Sequence, residues 1–536
     1  VSARAQSLST SASYVAVGTG VSRLTGLLRF VALAWALGQT HLADAFNLAN
    51  TAPNMLYDIV LGGVLSATFI PVFVDQLTNR DEDAAFESIS AVVTLSMVVL
   101  ATTTLAALLL APDIISALTA LDSSAHSHDL AQIAAERAVA TSLLRWFVIQ
   151  VAAYGVFALA TALLNTRRQF AAVAWAPILN NVVCIGVLVW FGEWTRRVAS
   201  LSSVQAHHSE LILLGLGTSL GVVLQCVALW PSLRSARLRQ VRPRWNLRDA
   251  ALRLSGWTFG FVMANQIAQF VVILLAGTVS GPDPVSSYTY AYAFLQMPYG
   301  IVAVAIMSVV APDLAEKWSA GQRPEFVTRM VGGWRSLLAL IIPASVAMLL
   351  LAKPAVALVL GHGHSTAAQT SVTGSALAMF ALGLPGFCSY LYIVRVLQSM
   401  QRTRVAFFLY LVENTVNVVL AVVLVHSMGV RGLALSLSIA YTVGALLGLA
   451  LLRSWFGRLG TAGVWSPLRR VAIATLCMGA VLLVVSNLSG ATTGVGLLVR
   501  VTGSVAAGGA AYGMAAVALG RRHEQLRRRA MRRRLY

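Results

Sequence analysis

Long apolar runs joined by short polar segments dominate the chain. Their approximate bounds are 13–38, 44–76, 86–112, 137–164, 170–191, 210–231, 253–280, 286–311, 330–352, 371–398, 404–426, 430–453, 468–487 and 494–519. Each reaches the ~20 mainly apolar residues that a bilayer-crossing helix needs. The runs are rich in Leu, Ala, Val and Gly, and they lack the alternating segments of roughly ten residues that build a membrane barrel. The pattern predicts an all-α polytopic membrane protein with about fourteen transmembrane helices.

Composition sharpens that class. Of 536 residues, 57% are hydrophobic and 11% charged, and the mean hydropathy is +0.75, far from an average soluble domain. The four cysteines, Cys184, Cys226, Cys388 and Cys477, are scattered through apolar runs without paired spacing, so neither a disulfide framework nor a zinc site is indicated. The polar start, Val1 to Ser13, leads into a run too long and too charged for a signal-peptide core, and the first helix is expected to remain in the mature protein.

Charge sets the expected topology. Basic residues concentrate in alternate joints: Arg167 and Arg168, then Arg234 to Arg248, then Lys317 and Arg323, then Arg402 and Arg404, then Arg458, Arg469 and Arg470. By the positive-inside rule those joints face the cytoplasm, and so do both termini. The opposite joints carry Asp113, Asp122, Asp129, Asp283 and most histidines, with Arg196 and Arg197 as the exception. A net charge of +19 would suit nucleic acid in a soluble protein. Here it is spread over short juxtamembrane clusters, the signature of topology and anionic-lipid contact.

The most polar interior segment follows six spans, which suggests two lobes. The expected organisation is an N-terminal lobe at 1–231, a basic cytoplasmic linker at 232–252, a C-terminal lobe at 253–454, two further spans at 455–519 and a basic cytoplasmic tail at 520–536. Paired halves around a central cavity are a common transporter plan. Breaks are expected at Pro53, Gly62 and Gly63, at Pro298 and Gly300, and at Gly383, Pro385 and Gly386, where either moving helices or close packing through small residues explains the composition.

Charges inside the apolar runs are the candidate chemistry, because an intramembrane charge is costly unless it faces a cavity or a partner. Arg23 and Arg29 occupy the first span, six residues apart, a rise of ~9 Å and about 120° of rotation on an ideal helix. A bend or unwinding at Gly26 would aim both inward. Arginine's planar fork suits a diphosphate, while snorkelling or pairing of Arg29 with Asp44 is the alternative. Asp58, Arg145, Arg335, Arg395 and Glu413 are further candidates. Glu413 and Asn417 share one helix face at i and i+4. With Asn265, Gln266 and Gln269 they offer oxygens to a monovalent cation or a site for a proton; a polar network without an ion is the other reading. His126, His128 and Asp129, and His362 and His364, form no convincing four-ligand metal set. No catalytic fingerprint such as G-x-S-x-G, a P-loop or H-E-x-x-H is present.

Several motifs point one way: S-R-L-T-G-L-L-R from Ser22, Asp44-Ala45-Phe46, Pro53-Asn54, and Phe69-Ile70-Pro71-Val72-Phe73. L-L-N-T-R-R-Q-F from Leu163, A-W-A-P-I-L-N-N from Ala174, M-P-Y-G from Met297 and G-L-A-L-S-L-S from Gly432 join them. Together they resemble the MurJ/MviN lipid II flippases of the MOP exporter superfamily. The resemblance implies fourteen helices, two six-helix lobes around a cationic cavity, and a groove formed with the last two helices for a polyprenyl tail. It further implies alternating access, coupled to membrane potential or an ion, that carries undecaprenyl-diphosphate disaccharide-pentapeptide outward. Arg23, Arg29 and Asp44 match functional family positions, and Asn54 falls within a matching motif. Tyr57 and Ala293 stand where the family carries arginines, so Arg335, Arg395 or Arg145 would have to compensate, or the substrate differs. The family's sodium site, on the seventh, eleventh and twelfth helices, matches Asn265, Glu413 and Asn417 loosely.

The reading is therefore a lipid II flippase at the cell membrane, with no cofactor beyond a coupling cation or proton, and with cell-wall synthesis proteins as candidate partners. The alternatives are an exporter of another polyprenyl-linked saccharide or amphipathic drug, a membrane glycosyltransferase or polymerase using acids of the loop from Pro112 to Arg137, and a scaffold that transports nothing.

Overall fold

The computed structural model describes residues 2–38, 40–59, 82–121, 130–166, 169–195, 200–235, 256–280, 283–362, 365–457 and 461–532. Among them every regular element is a helix. Twelve helices are long and apolar enough to cross a membrane, thirteen if one bent pair counts as a span. The expected second span, 44–76, runs into residues outside those described, so a total of about fourteen agrees with the structure. The chain is an all-α polytopic membrane protein.

Two compact units divide it, Val1–Thr289 with Gly363–Thr366 and Tyr290–His362 with Ala367–Tyr536. In the first unit α1 (Ser2–Leu37), α2 (His41–Tyr57), α3 (Glu82–Leu109) and α4 (Ala111–Leu118) are followed by α5 (Leu130–Phe147), α6 (Ile149–Thr166) and α7 (Phe170–Trp194). The short α8 (Leu201–Ala206), α9 (His208–Val227), the short α10 (Trp230–Ser235) and α11 (Gly256–Gly277) complete it, with the start of α12 (Pro284–Pro298). The expected linker at 232–252 lies mostly outside the described residues. Within the unit α1 packs on α7, α7 on α9, and α2 on α5. The third expected span is α3 and α4, bent by 73° around Leu110. Pro112 enters at the first turn of α4, where its missing N–H costs nothing.

The second unit holds the rest of α12, a π-helical turn at Tyr299–Ala303, α13 (Val304–Ser319), α14 (Arg323–Leu360), α15 (Ala367–Ser399), α16 (Thr403–Met428), α17 (Val430–Phe456), α18 (Thr461–Ser489) and α19 (Gly494–Arg532). Its tightest packing sets α15 against α14 and α17, α16 against α17, and α18 against α19. Only Gly429, at φ 57°, separates α16 from α17; glycine alone enters that left-handed region without strain. Of the expected breaks, Pro298 leads directly into the π turn. Gly383 and Gly386 lie in an unbroken α15, pressed against Ser438 and Thr442 of α17. Close packing explains those two.

Candidate functional site

Arg23 and Arg29 belong to α1, which stays helical through Gly26 rather than unwinding there. The reason lies across the helix pair: the Asn181 side chain on α7 donates to the Ser22 carbonyl at 3.1 Å and the Thr25 hydroxyl at 3.0 Å, while Thr25 in turn donates to Val21 O. Those bonds hold the turn that contains Gly26. On a regular helix the two arginines leave in directions ~120° apart. Both are half-buried. Arg29 lies beside Tyr154 of α6, and Asn180 of α7 is near that tyrosine as well.

Tyr57, where the resemblance leads one to expect an arginine, packs its ring against Tyr154 with centroids 5.3 Å apart. Next to it Asp58 accepts a hydrogen bond from Gln266 of α11 at 3.0 Å. Arg29, Tyr154, Tyr57, Asp58 and Gln266 thus form one polar and aromatic chain through the first unit. Asn54 is exposed one turn earlier, its side chain folded back onto the Asn50 carbonyl at 2.7 Å. Tyr154 escapes sequence reasoning, and Asn180 enters it only within the A-W-A-P-I-L-N-N motif, with no role attached. A tyrosine inside an apolar run carries no charge to mark it, and only its place opposite Arg29 gives it meaning.

Asp44 is engaged elsewhere than with the arginines. It is 3% exposed, and its Oδ1 accepts the Ser286 backbone N–H at 2.8 Å. Asn47 donates to the hydroxyl of the same serine at 2.9 Å. The carboxylate thereby caps the first turn of α12, where free N–H groups and the helix dipole favour an anion. Beside it His41, at the start of α2, lies 3.4 Å from Glu136 of α5 and 3.9 Å from Asp283. The hydrogen bond with Glu136 is the main reason that the imidazole holds its proton above the ordinary histidine range; partial burial opposes it, and the charges of Asp283, Glu136 and Asp44 reinforce it. His41, Asp44 and Glu136 border a cavity of about 270 Å³ that Gln132, Ser280 and Leu118 also line. Glu136, read from sequence as one of several loop acids, is part of helix α5 with a side chain only 16% exposed.

The remaining candidates divide between the units. Asn265 is half-buried on α11 of the first unit. Glu413 and Asn417 are buried on α16 of the second, 1% and 3% exposed. The Asn417 Oδ1 accepts the Ser436 hydroxyl at 3.0 Å, whereas Glu413 Oε2 is buried without a hydrogen-bond partner. Around it Tyr390 contacts Tyr410 and Tyr441, both at 5.3 Å between centroids, and Gly444 makes room for the Tyr390 ring beside the glutamate stem. Arg395 on α15 is exposed and reaches Gln398 at 3.3 Å. Arg335 on α14 is half-buried, and its Nε is buried without a partner. His126, His128, Asp129 and His364 lie outside the described residues.

A protein-family model described as "Lipid II flippase MurJ" matches residues 33–502. Among relatives, a "Probable lipid II flippase MurJ" of Rhizobium meliloti (strain 1021) is 28% identical over 469 residues, covering 86% of this chain and 84% of that protein. One of the same description from Vibrio cholerae is 26% identical, covering 87% and 86%. The fold is similar to a structure titled "Lipid II flippase MurJ, inward closed conformation", with a TM-score of 0.74 at 20% identity, covering 95% of this chain and 98% of that one. It is also similar to an inward-facing multidrug resistance MATE family transporter of the MOP superfamily, with a TM-score of 0.62 at 16% identity and coverage of 82% and 99%.

Proposed function

Because the chain belongs to the MurJ family of lipid II flippases, we propose that it moves lipid-linked peptidoglycan precursor from the cytoplasmic to the outer leaflet by alternating access, with both termini in the cytoplasm. The observation that carries the site assignment is Arg29. It is an arginine on a membrane helix that lies beside Tyr154 within the first unit, and its planar fork suits a diphosphate. Arg23 supplies a second cation on the same helix. No bond of the cargo is made or broken, so the protein's task is differential binding of the headgroup in its two access states.

Coupling falls to Glu413 and Asn417. A carboxylate oxygen with no protein partner, next to an amide oxygen on the same helix face, suits a monovalent cation or a proton. The last two helices, α18 and α19, are the expected berth of the lipid tail. Cell-wall synthesis proteins remain proposed partners on chemical grounds alone: they consume the lipid that emerges.

Replacing Arg29 by Ala is expected to abolish rescue of a flippase-depleted strain at normal membrane abundance, with Lys giving partial rescue. Full rescue by the Ala variant ends the assignment. The second reading, export of another polyprenyl-linked saccharide or an amphipathic drug, draws on Tyr57 and Ala293, which put a phenol and a methyl group where further arginines are expected. Competition of labelled lipid II binding by other polyprenyl diphosphates separates the two, since the second reading requires a competitor that binds tighter than lipid II itself.

A further inference from the structure

We propose that protonated His41 is the pin of a pH-sensitive latch that ties the start of α2 to α5 and to the first turn of α12, and that loss of its proton loosens that turn. The geometry carries the proposal. Three carboxylates converge on one imidazole: Glu136 from α5, Asp283 from the residue before α12, and Asp44 from the next turn of α2 itself. Of the other charged groups nearby, Arg137 is committed to the side chain and carbonyl of Thr119. The cavity residues contributed by α4 and α11, Leu118, Ile273 and Gly277, carry no charge. Among the described residues that line the cavity, His41 is the group that brings positive charge to the cluster.

What it counterbalances also positions α12. Asp283 sits in the left-handed region at φ 47°, an unusual place for a side-chain-bearing residue. Its carbonyl accepts the Ser287 N–H at 3.0 Å, while Asp44 accepts the Ser286 N–H. The Asp44 carboxylate thus takes a free N–H of the first turn, and the Asp283 carbonyl takes that turn's first helical bond; both residues lie next to the imidazole. Without the imidazolium, the Asp44 and Glu136 carboxylates on the cavity and Asp283 beside it lose their shared cation, and like charges there repel.

The His41 side chain, ahead of the apolar run that starts at 44, is 48% exposed, while those of Glu136 and Asp283 are 16% and 4% exposed. A group exposed in this way exchanges protons freely, which a switch requires. The direction of response follows from linkage. His41 keeps its proton more tightly in the folded protein, so its contribution is complete below the ordinary histidine range and is lost as pH rises through the raised folded value. The latch is a property of the first unit and does not depend on what the protein carries.

The test is backbone hydrogen exchange of α12's first turn in the full chain in lipid nanodiscs, from about pH 5.5 to about pH 8.5, corrected for intrinsic exchange, across the range where histidine titrates. Protection in the wild type is expected to fall about threefold as pH rises, the size set by a half-exposed ion pair. His41→Gln is expected to show the loosened level at every pH. Glu136→Gln, which keeps the histidine but removes its nearest acceptor, is expected to move the midpoint down. Protection of the wild type that does not change with pH, or a midpoint unmoved in Glu136→Gln, overturns the latch.

Discussion

Removing the Asp44 carboxylate tests the most connected contact at the start of α12. Asp44→Ala leaves the Ser286 backbone N–H, on a residue 0% exposed, without its 2.8 Å acceptor. A buried donor deprived of a charged acceptor costs ~1.5–3 kcal/mol, and loss of an anion at a helix N-terminus adds up to about 1 kcal/mol. Against this, the substitution removes one of three neighbouring carboxylates, which returns part of the loss as relieved repulsion. A net destabilisation of about 2 kcal/mol is expected for the first unit, a difference between opposed effects. Asp44→Asn separates the terms. Its amide oxygen still accepts from Ser286 while its charge is gone, so it is expected to fall within about 1 kcal/mol of wild type. The measurement is SDS-driven unfolding in mixed micelles of the three proteins, with rescue of a flippase-depleted strain alongside. If Ala unfolds at the wild-type midpoint, or if Asn is as damaged as Ala, then capping of α12 is not what Asp44 does.

Two further outcomes follow from the second unit. A Cβ at Gly383 would lie 2.4 Å from the Ser438 Cα and Cβ, so Gly383→Ala must push α15 and α17 apart and is expected to cost ~1–3 kcal/mol in the same unfolding measurement; a neutral result refutes the packing. Glu413→Gln removes a buried carboxylate whose Oε2 has no partner. Stability is therefore expected to stay level or rise while ion- or potential-driven flipping in proteoliposomes falls at least about tenfold, and retained flipping refutes the coupling role.

Spans were the legible part of this chain, because apolar length alone specifies a membrane helix. The charges within them were legible for the same reason: Arg29, Asp44 and Glu413 stand out against an apolar background. Their partners were not. Asp44 and Ser286 are 242 residues apart, and a backbone N–H has no signature in sequence, so pairing with Arg29 is the alternative that chain proximity offers for Asp44. Glu136 was assigned to a loop because the apolar run starts at 137, whereas α5 begins at Leu130. A helix that projects beyond the apolar layer keeps its backbone ladder while its side chains turn polar. The bend between α3 and α4 was hidden by the converse effect, since hydropathy runs on through Leu110 while the chain turns by 73°.

Glycine and proline show how identical composition divides into different physics. At Gly383 and Gly386 the missing side chains admit the backbone of α17, and helix α15 stays unbroken. Flexibility there would require losing one of the tightest helix contacts in the unit. At Pro298 the ring cannot donate to the carbonyl four residues back, and the ladder resumes as the π turn Tyr299–Ala303 before α13 begins. Gly300 and Ala303 are buried within it, and the Tyr299 ring lies against Phe387 at 5.0 Å. The π turn pairs i with i−5, the Val304 N–H donating to the Tyr299 carbonyl, and the N–H that Pro298 lacks leaves one bond of the regular ladder unmade just before it. The place where α12 and α13 can change angle is therefore set by this proline and π turn, and the glycines of α15 act as spacers that hold their helices together.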